Sequence, residues 1–180
     1  VSQLGFLMVL VGIGDEDVAM AAMAMLVAHA LFKASLFMVV GIIDHSTGTR
    51  DLRKLARLGH STPVLAGIAA LAAASMAGLP LTLGFVGKET AFAEIWDTGA
   101  LNEWQGPVVV LVLVLGSTLT VAYSLRFLWG AFGRKRKAEP SPAVARMHRP
   151  SAAFQAPAAI LAVAGVVSGP LAWESISGVG

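Results

Sequence analysis

Three nitrogen-bearing side chains stand where lipid penalises charge. His29 and Lys33 lie four residues apart in HALFKASLFMVVGII, and Lys88 sits in LPLTLGFVGKETAFAEIW. Each lysine is near the middle of an apolar run long enough to cross a bilayer. A lysine at mid-bilayer costs roughly 2.5–3.5 kcal/mol on insertion scales, and such residues usually line an ion or proton path. At i and i+4, His29 and Lys33 share one helix face. Imidazole exchanges protons near neutral pH, and desolvation disfavours a charged amine, so the chemistry open to the pair is proton transfer. Asp44 lies about 20° off the same stripe and roughly 16 Å further along the axis, given 1.5 Å of rise per residue. A titratable stripe from mid-membrane to one surface is what a proton half-channel needs. The competing role is structural, with His29 and Lys33 tying helices together through buried hydrogen bonds. Two ionisable groups on one mid-membrane face favour transport.

Glu89 follows Lys88 directly. Adjacent residues point about 100° apart on a helix, so each should meet a different neighbour. Gly84 and Gly87 precede the lysine, and a helix break at 84–87 would free backbone carbonyls beside it, as at transport sites. Snorkelling of Lys88 to an aqueous end is the alternative, disfavoured by its central position. Glu94 and Asp97 read as interfacial. Further on, Ser117, Thr120 and Ser124 form a hydroxyl stripe with Tyr123 beside it. Such hydroxyls can support a water chain, although they often bond back to their own helix carbonyls.

The elements that must hold these residues are membrane helices. The 180-residue chain is 56% hydrophobic and 13% charged, against about 25% charged in a typical soluble domain, with a mean hydropathy of +0.74. Several apolar runs of about 20 residues predict an all-α, polytopic transmembrane helical bundle. Six spans are expected over residues 1–13, 18–43, 63–79, 80–97, 106–132 and 153–173. The loop at 44–61 carries Arg50, Arg53, Lys54 and Arg57; the loop at 133–152 carries Arg134, Lys135, Arg136, Lys137, Arg146 and Arg149. With three spans between them, the two loops should lie on opposite faces. The more basic 133–152 loop is assigned to the cytoplasm by the positive-inside rule, which leaves 44–61 outside, its DLRKLARL held in a packed surface helix. A re-entrant fourth segment is the other way to resolve that conflict.

Cysteine is absent, which removes disulfide, thiolate-metal and thiol chemistry. No phosphate-binding glycine loop or metal-ligand spacing occurs, so no cofactor is expected and any metal site is unknown. The basic 133–149 stretch lacks interleaved aromatics and abuts a span, which favours anionic lipid over nucleic acid. The opening VSQLGFLMVLVGIG is already apolar, and the chain stops just after AAILAVAGVVSGPLAW; both ends read as cut from a larger membrane protein.

HALFKASLFMVVGIIDHSTGTRDLRKL followed by MAGLPLTLGFVGKETAFAE resembles the large antiporter-like membrane subunits. These include the large A-type subunit of the multisubunit Mrp-type Na+/H+ antiporter and the proton-pumping membrane subunits of respiratory complex I. The resemblance is strongest over 1–130 and includes VSQLGFL. It implies a 14-helix core of two inverted repeats, each with a broken helix, of which this chain holds most of the second. By that analogy His29 and Lys33 belong to the proton-relay helix and Lys88 to the broken helix around 80–97; Glu89, Asp44, Ser117, Thr120 and Ser124 are expected in support on the spacing described above. The implied function is a proton-translocating subunit of a monovalent cation (Na+)/proton antiporter, a transporter and not an enzyme. It would be multi-pass in the cell (inner) membrane, with other membrane subunits, H+ and Na+ as partners and no nucleic acid. The DHSTGTRDLRKL loop and the Lys88–Glu89 pair, where complex I subunits often show Lys-Asp, favour the antiporter. A complex I subunit or related membrane hydrogenase is the alternative, and a non-transporting scaffold the third.

Overall fold

The computed structural model describes residues 2–133 and 139–177. The described residues are helical, with no strand among them. In chain order the helices are α1 (Ser2–Ile13), α2 (Glu16–Thr47), α3 (Leu58–Ser61), α4 (Pro63–Ala77), α5 (Leu83–Asp97), α6 (Gln105–Phe132), α7 (Pro142–Ala145) and α8 (Ala152–Ser177). By length and composition α2, α6 and α8 can each cross a membrane, whereas α1 and α4 are shorter apolar helices. Arg134, Lys135, Arg136 and Lys137, placed by the sequence in the basic loop, lie outside the described residues.

Local chemistry sets the helix ends. Asp15 caps α2, its carboxylate accepting from the Asp17 and Val18 amides, as N-cap aspartates do. The same carboxylate accepts from the Thr98 hydroxyl at 2.8 Å, joining the start of α2 to the end of α5. That hydrogen bond, then those from the backbone, holds the Asp15 carboxyl below its ordinary value. At the other end of α2, Gly48 adopts the left-handed conformation that closes the helix.

The chain breaks between α4 and α5 at residues 78–82. Gly78, at φ 83°, ends α4 by returning its N–H to the Ala74 and Ser75 carbonyls. Pro80 cannot extend a helix, Leu81 sits at φ 70°, and Thr82 caps the next helix by accepting from the Phe85 amide. At 15 residues each, α4 and α5 are about 22 Å long, short of the roughly 30 Å hydrocarbon core.

Their neighbours show that the two make one traverse. Gly87 of α5 lies against Met25, and Thr98 bonds Asp15, so α5 runs antiparallel to the first half of α2. A Cβ on Gly165 of α8 would meet both Ser75 of α4 and Leu31 of α2, which puts the end of α4 beside the middle of α2 and the rest of α4 beside its second half. Helix α6 covers both pieces in reverse: Gly106 is near Ile95, Tyr123 reaches Met76, and Phe132 lies on Gly59 just ahead of α4.

This corrects three expectations. Segments 63–79 and 80–97 do not traverse the bundle separately, because the 78–82 break redirects the chain without reversing it. The 44–61 segment and the described residues 133 and 139–152 therefore lie at the same end, with only one broken traverse and α6 between them. They touch there: Ser141 donates to the Ala56 carbonyl from its amide and to the Lys54 carbonyl from its hydroxyl, and Leu52 packs on Gly130. The expected break at 84–87 is also displaced. Gly84 and Gly87 lie inside α5, where a Cβ on Gly84 would strike the Ser75 backbone and one on Gly87 would come within 3.1 Å of Met25 Cα. They permit close helix approach, as small residues do in membranes.

Charge separates along the bundle. Asp15, Glu16, Asp17, Asp97 and Glu103 gather at one end, and Arg50, Arg53, Lys54, Arg57, Arg146 and Arg149 at the other. In the full complex, Arg53→Cys and Arg146→Cys should react with a membrane-impermeant thiol reagent from one and the same side, and Glu103→Cys from the opposite side. Gly84→Ala should destabilise the protein by about 1–3 kcal/mol through overpacking, read as a lower thermal midpoint in detergent. Gly67→Ala, where an added Cβ meets nothing within 4 Å, should cause no loss.

Candidate functional site

A helix leaves its last four carbonyls without intrahelical partners, and the end of α4 accounts for all of them. Ala74 accepts from the amides of Gly78 and Leu79, and Ser75 accepts from that of Gly78. Met76 and Ala77 accept from the ammonium of Lys88, at 3.0 and 3.2 Å. Lys88 is only 5% exposed, and among the described residues no carboxylate pairs with it. Its charge rests against the negative end of the α4 dipole, a site that favours cations. The break thus builds a polar cradle for the ammonium from backbone alone.

Gly78 makes room for this arrangement. A Cβ there would stand 3.1 Å from Lys88 Cδ and 3.4 Å from Nζ. Glu89, one residue on, is exposed on the other side of α5, so neighbouring positions do face different surroundings.

His29 and Lys33 are half-buried on α2. They line a 440 Å³ cavity with Gln3, Phe37 and Tyr123. The His29 ring packs edge-on against Phe32 at 5.4 Å. Its Nδ1 is buried with no hydrogen-bond partner among the described residues. Asp44, on the same helix, ends in an ion pair with Arg50 at 2.8 Å, at the basic end of the bundle.

Of the hydroxyl stripe, Thr120 and Ser124 are buried and donate to the Gly116 and Thr120 carbonyls at 3.0 and 2.6 Å. They satisfy their own helix, the common behaviour of membrane hydroxyls. Ser117 Oγ is buried and unpartnered among the described residues.

The structure therefore gathers His29 and Lys33 at one cavity and holds Lys88 in a separate cradle. Tyr123, which the sequence placed only beside the hydroxyl stripe, stands between them. Its ring lines the His29–Lys33 cavity, and its hydroxyl donates to Met76 Sδ at 3.7 Å, on the residue whose carbonyl holds Lys88. Sequence reasoning missed Gln3 and the two carbonyls. Gln3 was legible as a polar side chain inside an apolar run, but backbone acceptors carry no residue signature.

Gly78→Ala should displace Lys88 and strain a left-handed position, at a cost of about 1–2 kcal/mol. The expected result is a lower thermal midpoint, and the larger loss should come in any activity that needs the lysine.

Comparisons with known proteins agree on the company this chain keeps. Residues 1–120 match the family model described as NADH:quinone oxidoreductase/Mrp antiporter, transmembrane. A probable K(+)/H(+) antiporter subunit of the A/B type, from Rhizobium meliloti, is 41% identical over 177 residues, covering 98% of this chain and 17% of the relative. An A-type Na(+)/H(+) antiporter subunit of Alkalihalophilus pseudofirmus is 38% identical, covering 77% of this chain and 20% of its own length. Among solved structures, one chain of the Mrp complex from Dietzia sp. DQ12-45-1b superimposes with a TM-score of 0.80 at 44% identity, over 95% of this chain and 18% of that one. The chain thus spans about a fifth of the length of these relatives.

Proposed function

Because the chain belongs to the NADH:quinone oxidoreductase/Mrp antiporter family of membrane proteins, we propose that it forms the proton-carrying part of a monovalent cation/proton antiporter subunit working within a multisubunit membrane complex. The observation that carries this reading is Lys88, a buried ammonium solvated, among the described residues, by the Met76 and Ala77 carbonyls. A structural lysine would be expected to pair with an acid or reach water. A backbone cradle instead accommodates both the charged and the neutral amine, since the helix dipole stabilises the cation without fixing it in a salt bridge.

Protons would pass between two stations, the His29–Lys33 cavity and the Lys88 cradle, with Tyr123 and Met76 between them. His29, with a free ring nitrogen, suits the role of intermediate acceptor. A proton gained by one lysine raises the cost of holding a second on its neighbour, which gives the transfer a direction. Asp44, Glu89, Ser117, Thr120 and Ser124 are assigned supporting roles at most. Two related proteins are named for K+ and for Na+ respectively, so the exchanged ion is proposed only as a monovalent cation. With the described arginines and lysines of 44–61 and 139–152 gathered at one end, the positive-inside rule assigns that end to the cytoplasm of a cell-membrane protein.

The family description also names a quinone oxidoreductase, and the same stations would serve a redox-driven pump. The antiporter names of the related proteins favour exchange.

In vesicles carrying the full complex, Lys88→Ala and Lys33→Ala should each slow cation-dependent proton flux by at least about tenfold, more than 1.4 kcal/mol in the barrier. Unchanged flux with normal assembly would exclude the assignment.

A further inference from the structure

Leu81 is the strained residue that the relay leaves unexplained. Its φ of 70° lies in the left-handed region, which residues bearing a side chain avoid. The side chain is 71% exposed, so its own packing does not impose that conformation. Outliers of this kind persist where the surroundings over-determine the backbone, and they cluster at functional sites. Here the surroundings are the backbone of α8. A Cβ on Gly169 would stand 2.6 Å from the Leu81 carbonyl oxygen and 2.7 Å from the Thr82 carbonyl carbon. Only a residue without a side chain lets α8 come that close.

The contact seats the joint on a helix that runs past both of its sides. Before the break, Gly165 of α8 lies beside Ser75 of α4. After it, the Trp173 and Phe85 rings meet with centroids 6.2 Å apart. Nearer the start of α8, the Ala158 carbonyl accepts from the buried Ser35 hydroxyl of α2 at 2.9 Å. These anchors hold α8 along its length. Beyond Gly169, α8 and α5 part around a 240 Å³ groove bounded by Leu81, Phe85, Pro170 and Trp173, so the backbone contact is concentrated at Gly169. The turn itself is tied to the next helix. The Thr82 hydroxyl donates to the Leu79 carbonyl at 2.7 Å and accepts from the Phe85 amide at 3.2 Å. A push on the Leu81–Thr82 peptide therefore passes to the first turn of α5, and Lys88 stands less than two turns further on. Because Lys88 reaches from α5 to carbonyls on α4, its hydrogen bonds depend directly on the offset between the two helices.

We propose that Gly169 is a positioning residue for Lys88. Its bare backbone seats the Leu81–Thr82 peptide and so sets the offset of α5 from α4 at which the ammonium reaches both carbonyls. A side chain at 169 would displace the joint by about 0.7–1 Å, the shortfall from an ordinary C···O contact. Misplacement of that size, made away from the reacting groups, can cost up to about 100-fold in rate. This rests on the proposed role of Lys88 in proton transfer, and the experiment separates the two.

In vesicles carrying the full complex, Gly169→Ala should slow cation-dependent proton flux per assembled complex by about tenfold. Gly165→Ala, whose Cβ would make ordinary contacts at 3.6 and 3.9 Å, should stay within about twofold of the parent. In a Lys88→Ala background, Gly169→Ala should change the residual flux by less than about twofold, because the lysine it positions is gone. A merely structural role would slow both backgrounds alike. Adding Leu81→Gly to Gly169→Ala relaxes the joint and keeps the complex assembled, and the rate should stay low because Lys88 remains displaced. The inference is overturned if Gly169→Ala, alone or with Leu81→Gly, keeps flux within about twofold of the parent while Lys88→Ala lowers it at least about tenfold. It is equally overturned if Gly169→Ala slows the Lys88→Ala complex as much as the parent. If Lys88→Ala itself leaves flux intact, the relay reading falls and the positioning role falls with it.

Discussion

The contact between the Lys88 ammonium and the last two carbonyls of α4 ties together most of what distinguishes this bundle. A helix that stops inside a membrane leaves orphan carbonyls in a medium that cannot hydrate them. A lysine in the same medium needs acceptors. Each problem answers the other. The break at 78–82 supplies the carbonyls, and the next helix returns Lys88 to them across one short turn. Gly78 is required twice, once to close α4 in a left-handed conformation and once to leave space beside the lysine stem.

Close packing makes that geometry rigid. Ala69, Ala72 and Ala73 are buried on α4, Gly84 lies on the Ser75 backbone and Gly87 on Met25. With side chains this small, backbones approach and dispersion and dipolar contacts replace the hydrophobic drive that lipid removes. The long helices α2 and α6 then clamp both halves of the broken traverse and keep them in line. Without that clamp a five-residue break would be a hinge. Here it is a fixed site.

The separation of charge follows from the same continuity. Because α4 and α5 count as one passage, the described arginines and lysines of the two basic segments fall at one end and the acidic turn before α2 falls at the other. Reading two passages instead put the basic loops on opposite faces and forced a conflict with the positive-inside rule. The conflict was itself a signal that one apolar segment had been overcounted.

Much of this protein was written in its residue order. Long apolar runs determine membrane helices, since only helices and closed barrels satisfy the backbone in lipid. The four-residue spacing of His29 and Lys33 determines their shared face, and GLP marks a place where a helix must stop. Family membership was legible for the same reason, because the combination of HxxxK and GFxxKE is local. Tertiary structure decided what depends on distance through space. It set the direction of the chain after Gly78, the use of Met76 and Ala77 carbonyls as partners for Lys88, the ends at which the loops meet, and the close approach of Gly169 to Leu81. Periodicity reports which face of a helix a side chain occupies. The group opposite that face is fixed only when the other helices have packed.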